Sequence, residues 1–285
     1  MPAACVELTI EQVERGYNNR AAVPEYPQWF ERWAERSTEA LRALAPRSDV
    51  RYGPNPKETL DLFVPAGRTR GLFVFIHGGW WRSLDKADHA FVAPTFVAQG
   101  IAVANLNYDL CPDMPIAGIV EEVQRAIAFL ARDGSRIGVA AMPMVVAGHS
   151  AGGHLTAMLH ATSPAALGLE RHPVAGAVSL SGVHDLAPLV HYSLNSDFRL
   201  DSSLARELSP VHRAPQSRAP ILAAVGADET SEFLRQTDLL WEAWPGNRPR
   251  GATAPLRIPG RHHYSVVMDY ADPTSALTEA TLALF

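Results

Sequence analysis

The sequence predicts an α/β fold: a mostly parallel central sheet flanked by helices, with an N-terminal helical extension and a cap-like insertion. Three observations lead there. Short apolar runs rich in β-branched residues recur along the chain, stretches with helical spacing separate them, and only residues 184–219 break the alternation. Strands buried on both faces need near-continuous apolar runs, as these are. The apolar share of 47% over 285 residues is ample for a core. With no internal repeat, low-complexity tract or interdomain linker, a single domain spanning 1–285 is expected.

Residues 1–45 form the helical extension: Thr9 with Gln12 suggests a capping box, and Trp29, Phe30, Trp33, Ala34 and Leu41 recur at roughly helical spacing. Strands are expected at TLDLFV (59–64), LFVFI (72–76), IAVANLNY (101–108), MVVAG (144–148), VAGAVSL (174–180), ILAAVG (221–226) and PLRIP (255–259). Between Ile116 and Leu130, Ile119, Val120, Val123 and Ile127 complete one apolar helix face, with Gly134 as a stop. Helices also fit 87–99, 151–162, 231–243 and 274–284. The polar, Pro-containing stretch 184–219 is expected as a cap or pocket wall, and PGNRPRGATAP (245–255) as a surface turn.

A formal charge of −5, without a basic run or basic-aromatic stripe, points away from nucleic acid and towards a small-molecule substrate. Cys5 and Cys111 are too few for a disulfide framework and have no metal-ligand spacing. Neither a secretory leader nor a membrane-length apolar run is evident, so a soluble, cytoplasmic protein without membrane association is expected.

The stretch VVAGHSAGGHL (145–155) poses the chemical question: why a serine should sit between a strand and a helix among three glycines. Gly148-His149-Ser150-Ala151-Gly152 fits G-x-S-x-G in the strand-turn-helix context that holds a nucleophilic hydroxyl above the sheet. A plain tight turn is the bland alternative; a phosphate loop fits worse, because no Lys-Ser/Thr pair follows. Serine needs a base and donors for the oxyanion. His77-Gly78-Gly79 ends an upstream strand, so the amides of Gly78, Gly79 and Ala151 are the candidate oxyanion hole. His262 and His263 follow the last strand and offer the base, while Asp228 and Glu229 follow the ILAAVG strand and offer the acid, in the chain order Ser, acid, His. Either carboxylate could instead cap the following helix. Asp185 reads as an N-cap, and His149 with His154 does not make a zinc motif.

Elbow, HGG loop, acid and histidine in this order resemble the α/β-hydrolase superfamily, and more narrowly the arylformamidase (kynurenine formamidase) and hormone-sensitive-lipase-like esterase group. HGGWW (77–81), GHSAGGHL (148–155), SGVHDLAPL (181–189), ETSEFLRQ (229–236), HHYSVV (262–267) and the leader YNNRAAVPEYPQWFERWAERS (17–37) carry the resemblance over most of the chain. It implies His263, which precedes an aromatic residue, as base, leaving His262 exposed. It implies Glu229 as acid, three residues before Glu232-Phe233; many members have Asp there, and Asp228 is the alternative. The implied reaction is cofactor-free acyl transfer to water through Ser150, releasing formate from an aryl formamide such as N-formylkynurenine. Trp80, Trp81 and Tyr108 would then stack on the aromatic leaving group. The expected partner is a small-molecule aryl amide or ester, with a homodimer left open. The alternatives are a promiscuous short-acyl carboxylesterase and, from another class, a non-catalytic binding module on a hydrolase scaffold.

Overall fold

The computed structural model describes residues 8–139 and 142–285. Its centre is an eight-stranded sheet: β1 (Arg47–Arg51), β2 (Thr59–Phe63), β3 (Gly71–Ile76), β4 (Ile101–Leu106), β5 (Met144–His149), β6 (Val174–Leu180), β7 (Ile221–Gly226) and β8 (Leu256–Ile258). The spatial order is β1-β2-β4-β3-β5-β6-β7-β8. β1 and β2 run antiparallel to their neighbours; every pairing from β4 to β8 is parallel. The seven expected strands are all present, within two residues at each end. β1 is additional: RSDVR is mostly exposed at the sheet edge and shows no apolar alternation.

Alternation within the buried strands feeds two cores. Leu72, Val74 and Ile76 of β3 join one, with Ala104, Val146 and Leu106; Phe73 and Phe75 join the other, with Val103, Val145 and Tyr270. That period of two is what a sheet covered on both faces demands.

Three helices precede the sheet: α1 (Ile10–Tyr17), α2 (Asn19–Ala22) and α3 (Tyr26–Leu44). The capping box at Thr9 and Gln12 is present in both directions; residues 1–7 of the expected extension lie outside the described residues. α4 (Ala93–Ala98) follows a 3-10 segment, Lys86–Val92, where one continuous helix over 87–99 was expected; His89 takes non-helical angles there. α5 (Ile116–Asp133) buries all six residues of the expected apolar face. α6 (Ala151–His160) is buried at every position, because it fills the space directly behind β5 and β6. Residues 184–219 contain two short helices, α7 (Asn195–Phe198) and α8 (Ser202–Glu207), and α9 (Ser231–Ala243) and α10 (Ala276–Leu282) complete the chain. No helix among the described residues is long and apolar enough to cross a membrane.

Candidate active site

The turn from β5 into α6 holds Ser150 at φ 57° and ψ −118°. A non-glycine residue is held there against a penalty on the order of 1–3 kcal/mol. The flanking glycines explain how: a Cβ on Gly148 would overlap the Gly152 carbonyl, and one on Gly152 would overlap the Ile76 carbonyl. Only hydrogen side chains let α6 approach β3 and β5 this closely. The Ser150 amide donates to the Leu180 carbonyl at 2.8 Å, tying the elbow to the end of β6.

Three loops at the carboxyl ends of the strands meet at this hydroxyl. His263 Nε2 is 3.0 Å from Ser150 Oγ, and His263 Nδ1 is 2.7 Å from Glu229 Oε2. A carboxylate only accepts, so Nδ1 carries the proton, and Nε2 is left to accept from the serine hydroxyl. All three side chains are buried.

Glu229 reaches the ring because the chain turns back on itself after β7: the Glu229 amide donates to the Gly226 carbonyl at 3.2 Å. Its Oε1 accepts from the Gly226 amide at 2.9 Å and from the Ser181 hydroxyl. Asp228, in the same turn, is exposed, and among the described residues only its amide is engaged, donating to Arg261 O. Neither carboxylate caps α9, whose N-cap is Thr230. Asp185 is not the N-cap expected: that position in the 3-10 segment Ala187–His191 is Leu186, and the Asp185 carboxylate accepts from the Ala187 amide in a local turn and lies 3.9 Å from Arg235.

The HGG loop faces the elbow. Gly78, Gly79 and Ala151 amides donate to no acceptor among the described residues. Their orientation is set from behind by Tyr108, whose hydroxyl donates to His77 O at 2.8 Å and also approaches Gly78 O at 3.3 Å. In a trans peptide the N–H points opposite the C=O, so pinning those two carbonyls fixes where the Gly78 and Gly79 amides aim.

Tyr108 is thereby a correction to the sequence reading. It does not line the cavity beside Ser150; it is fully buried, with its ring stacked on His77 at 4.2 Å. Trp81 is likewise core, edge-on to His154 at 5.0 Å and to Phe198 at 5.5 Å. A ring at a strand end with a tightly packed shell behind it satisfies its burial there and does not turn outward. Trp80 does line the cavity, held by Tyr192 at 5.3 Å and Phe198 at 6.1 Å. His262 is half-buried where exposure was expected, because Trp29 of α3 packs on its edge at 5.0 Å.

The cavity over Ser150 is lined by Asn19, Arg20, Phe30, Trp33, Gly79, Trp80, His149, Ser150, His263 and Tyr264, among others. Its free space is about 40 Å³, on the order of three waters. The wall therefore comes from α2 and α3 of the N-terminal extension; residues 184–219, expected as a cap or pocket wall, contribute only indirectly through Tyr192 and Phe198 behind Trp80. A larger hollow, lined by Leu72, Met144 and Val174, opens at the amino ends of β3, β5 and β6, far from this chemistry. His149 packs on His263 with ring centroids 4.7 Å apart. Burial, reinforced by the neighbouring His263, pushes the His149 pKa well down, so it stays neutral beside that ring.

Ser181, Asn19, Arg20, Phe30 and Trp33 were not among the expected site residues. Ser181 had a signal: it directly follows β6, the neighbour of β7, after which the Glu229 turn begins. The α2 and α3 residues had none, since packing alone brings them to the sheet edge.

Strand order, elbow and chain order of the three groups define an α/β-hydrolase. The BD-FAE family model matches residues 60–243, and the chain belongs to that family. It is similar to a kynurenine formamidase from Salmo salar, 28% identical over 259 residues, covering 88% of this chain and 86% of that one. A kynurenine formamidase from Danio rerio is 25% identical, with coverages of 83% and 80%. Among solved structures, a Silicibacter sp. protein provisionally described as a thioesterase superposes with a TM-score of 0.83 at 31% identity, over 95% of this chain and 99% of that one. The chain is a serine hydrolase.

Proposed function

We propose that the protein hydrolyses aryl formamides such as N-formylkynurenine, with Ser150 as nucleophile, His263 as general base and acid, and Glu229 as its carboxylate partner. The unbroken line from Glu229 through His263 to Ser150 carries this reading. Ser150 Oγ attacks the formyl carbon while its proton passes to His263 Nε2. The oxyanion that develops takes hydrogen bonds from Gly79 and Ala151, with Gly78 beside them; losing one such donor costs about 3 kcal/mol of barrier. As the C–N bond breaks, His263 returns the proton to the leaving aryl amine. A water, deprotonated by the same nitrogen, then attacks the formyl ester; formate leaves and Ser150 recovers its proton. Glu229 holds the ring and offsets its transient charge.

The small free space over Ser150 supports a one-carbon acyl group, and the rings of Phe30, Trp33, Trp80 and Tyr264 around it support an aromatic leaving group. The two kynurenine formamidases, matching most of the chain, support the amide. Two cysteines in 285 residues accord with a reducing, cytoplasmic setting. Steady-state kinetics compare formanilides with p-nitrophenyl acetate: efficient turnover of the formamides is expected, and efficiency towards the ester alone overturns this reading in favour of a short-acyl carboxylesterase.

A further inference from the structure

The cavity lining contains one permanently charged side chain, Arg20, and no carboxylate. Arg20 forms no ion pair among the described residues; its guanidinium instead sits 5.2 Å from the ring centre of Tyr26. The preceding residue, Asn19, lines the same cavity and is only 4% exposed, and its Nδ2 finds no acceptor among the described residues. A buried amide N–H without a partner is costly. It is better explained by a group that a ligand brings than by the fold. Both residues are held in place by a local device: Asn18 caps α2 by accepting from the Ala21 amide. Two consecutive donors therefore stand at a cavity that Ser150 and several aromatic rings also line.

We propose that Asn19 and Arg20 recognise a carboxylate on the substrate's aromatic leaving group, and so select anionic aryl amides over neutral ones. A carboxylate presents two acceptor oxygens to match two donors, and guanidinium is the side chain best suited to it. Arg20 is exposed, which places the anion at the mouth of the cavity, outside the narrow space over Ser150. This inference deepens the formamidase reading in its choice of leaving group, but the recognition would serve an ester with the same leaving group equally.

Two substrate pairs and one binding measurement test it. Formanilide is compared with 2-formamidobenzoate, phenyl acetate with 3-acetoxybenzoate, and the titration-calorimetric Kd of 2-aminobenzoate is measured against that of aniline. In the wild type the anionic member of each pair is expected to be preferred. Arg20→Met is expected to shrink that preference at least tenfold, mainly through KM, with Arg20→Lys intermediate and Asn19→Ala moving it in the same direction. Variants that lower both members of a pair equally, or leave 2-aminobenzoate binding unchanged, overturn the proposal, since damage to the fold would act on both alike. Discrimination in the ester pair with no turnover of either formamide would retain the anion site and remove the formamidase reading. Turnover of both formamides without discrimination would do the reverse. If no substrate turns over, the Kd values of 2-aminobenzoate in wild type and Arg20→Met decide alone.

Discussion

Glu229 carries one more methylene than an aspartate and needs support along its length. Ser181 and the Gly226 amide hold one oxygen, leaving the other for His263. Replacing Glu229 by Gln removes the negative charge and turns an acceptor into a donor at one position. Turnover is expected to fall on the order of 10⁴-fold, as when the acid of a serine protease triad is neutralised. Asp228→Asn is expected to keep turnover within a fewfold, because that side chain faces solvent. The adjacent pair was open in the sequence: both types suit the role, and only the backbone turn after β7 decides which one folds back. The turn at Ser150 and the close approach of its glycines were legible, because a strained turn and close helix approach leave a spacing of glycines in the chain. Tyr108 was legible as important but misplaced, since a hydroxyl donating to backbone leaves no pattern. Tyr108→Phe removes that bond, and a loss of about 1 kcal/mol in amide alignment corresponds to roughly a fivefold lower kcat.

At the scale of elements, the N-terminal helices are part of the site. α1 is locked to α9 by the Tyr17 hydroxyl, which donates to Glu232 at 2.9 Å and accepts from Gln236 at 2.7 Å. Gln236 in turn accepts from the amides of His184 and Asp185. Burial and the neighbouring Glu232 push the Tyr17 phenol pKa up, so it remains a neutral donor. Tyr17→Phe removes these two hydrogen bonds while Gln236 keeps Asp185 O and Glu232 keeps Arg235, and a loss of about 1–3 kcal/mol in unfolding free energy is expected by urea titration. The alternating strands and α5 were legible because one face of each meets a core. β1 was not, because a polar edge strand pairs through its backbone, and the origin of the pocket wall was not, because no local pattern says which helix will cover which sheet edge.

Across the whole molecule, buried neutral histidines tie stability to pH. Burial lowers His77 and His154 from 6.5 to about 4, and His89, His160 and His184 to about 3. In the unfolded chain these rings take up protons near pH 6.5, while the folded ones do not until far lower, so the unfolded state binds more protons between those values. Their contribution is whole above about pH 6.5 and is lost as the pH falls towards 4 and 3. The urea midpoint is therefore expected to drop clearly between pH 7.5 and pH 5; an unchanged midpoint would contradict neutral burial. The fold and three loops together serve one claim, that Ser150 is the activated nucleophile. Labelling the folded protein with a fluorophosphonate and mapping the adduct by mass spectrometry tests it most directly. A single adduct on Ser150, absent in Ser150→Ala and strongly slowed in His263→Ala, is the expected result; folded protein that stays unlabelled, or carries the adduct on another residue, would contradict it.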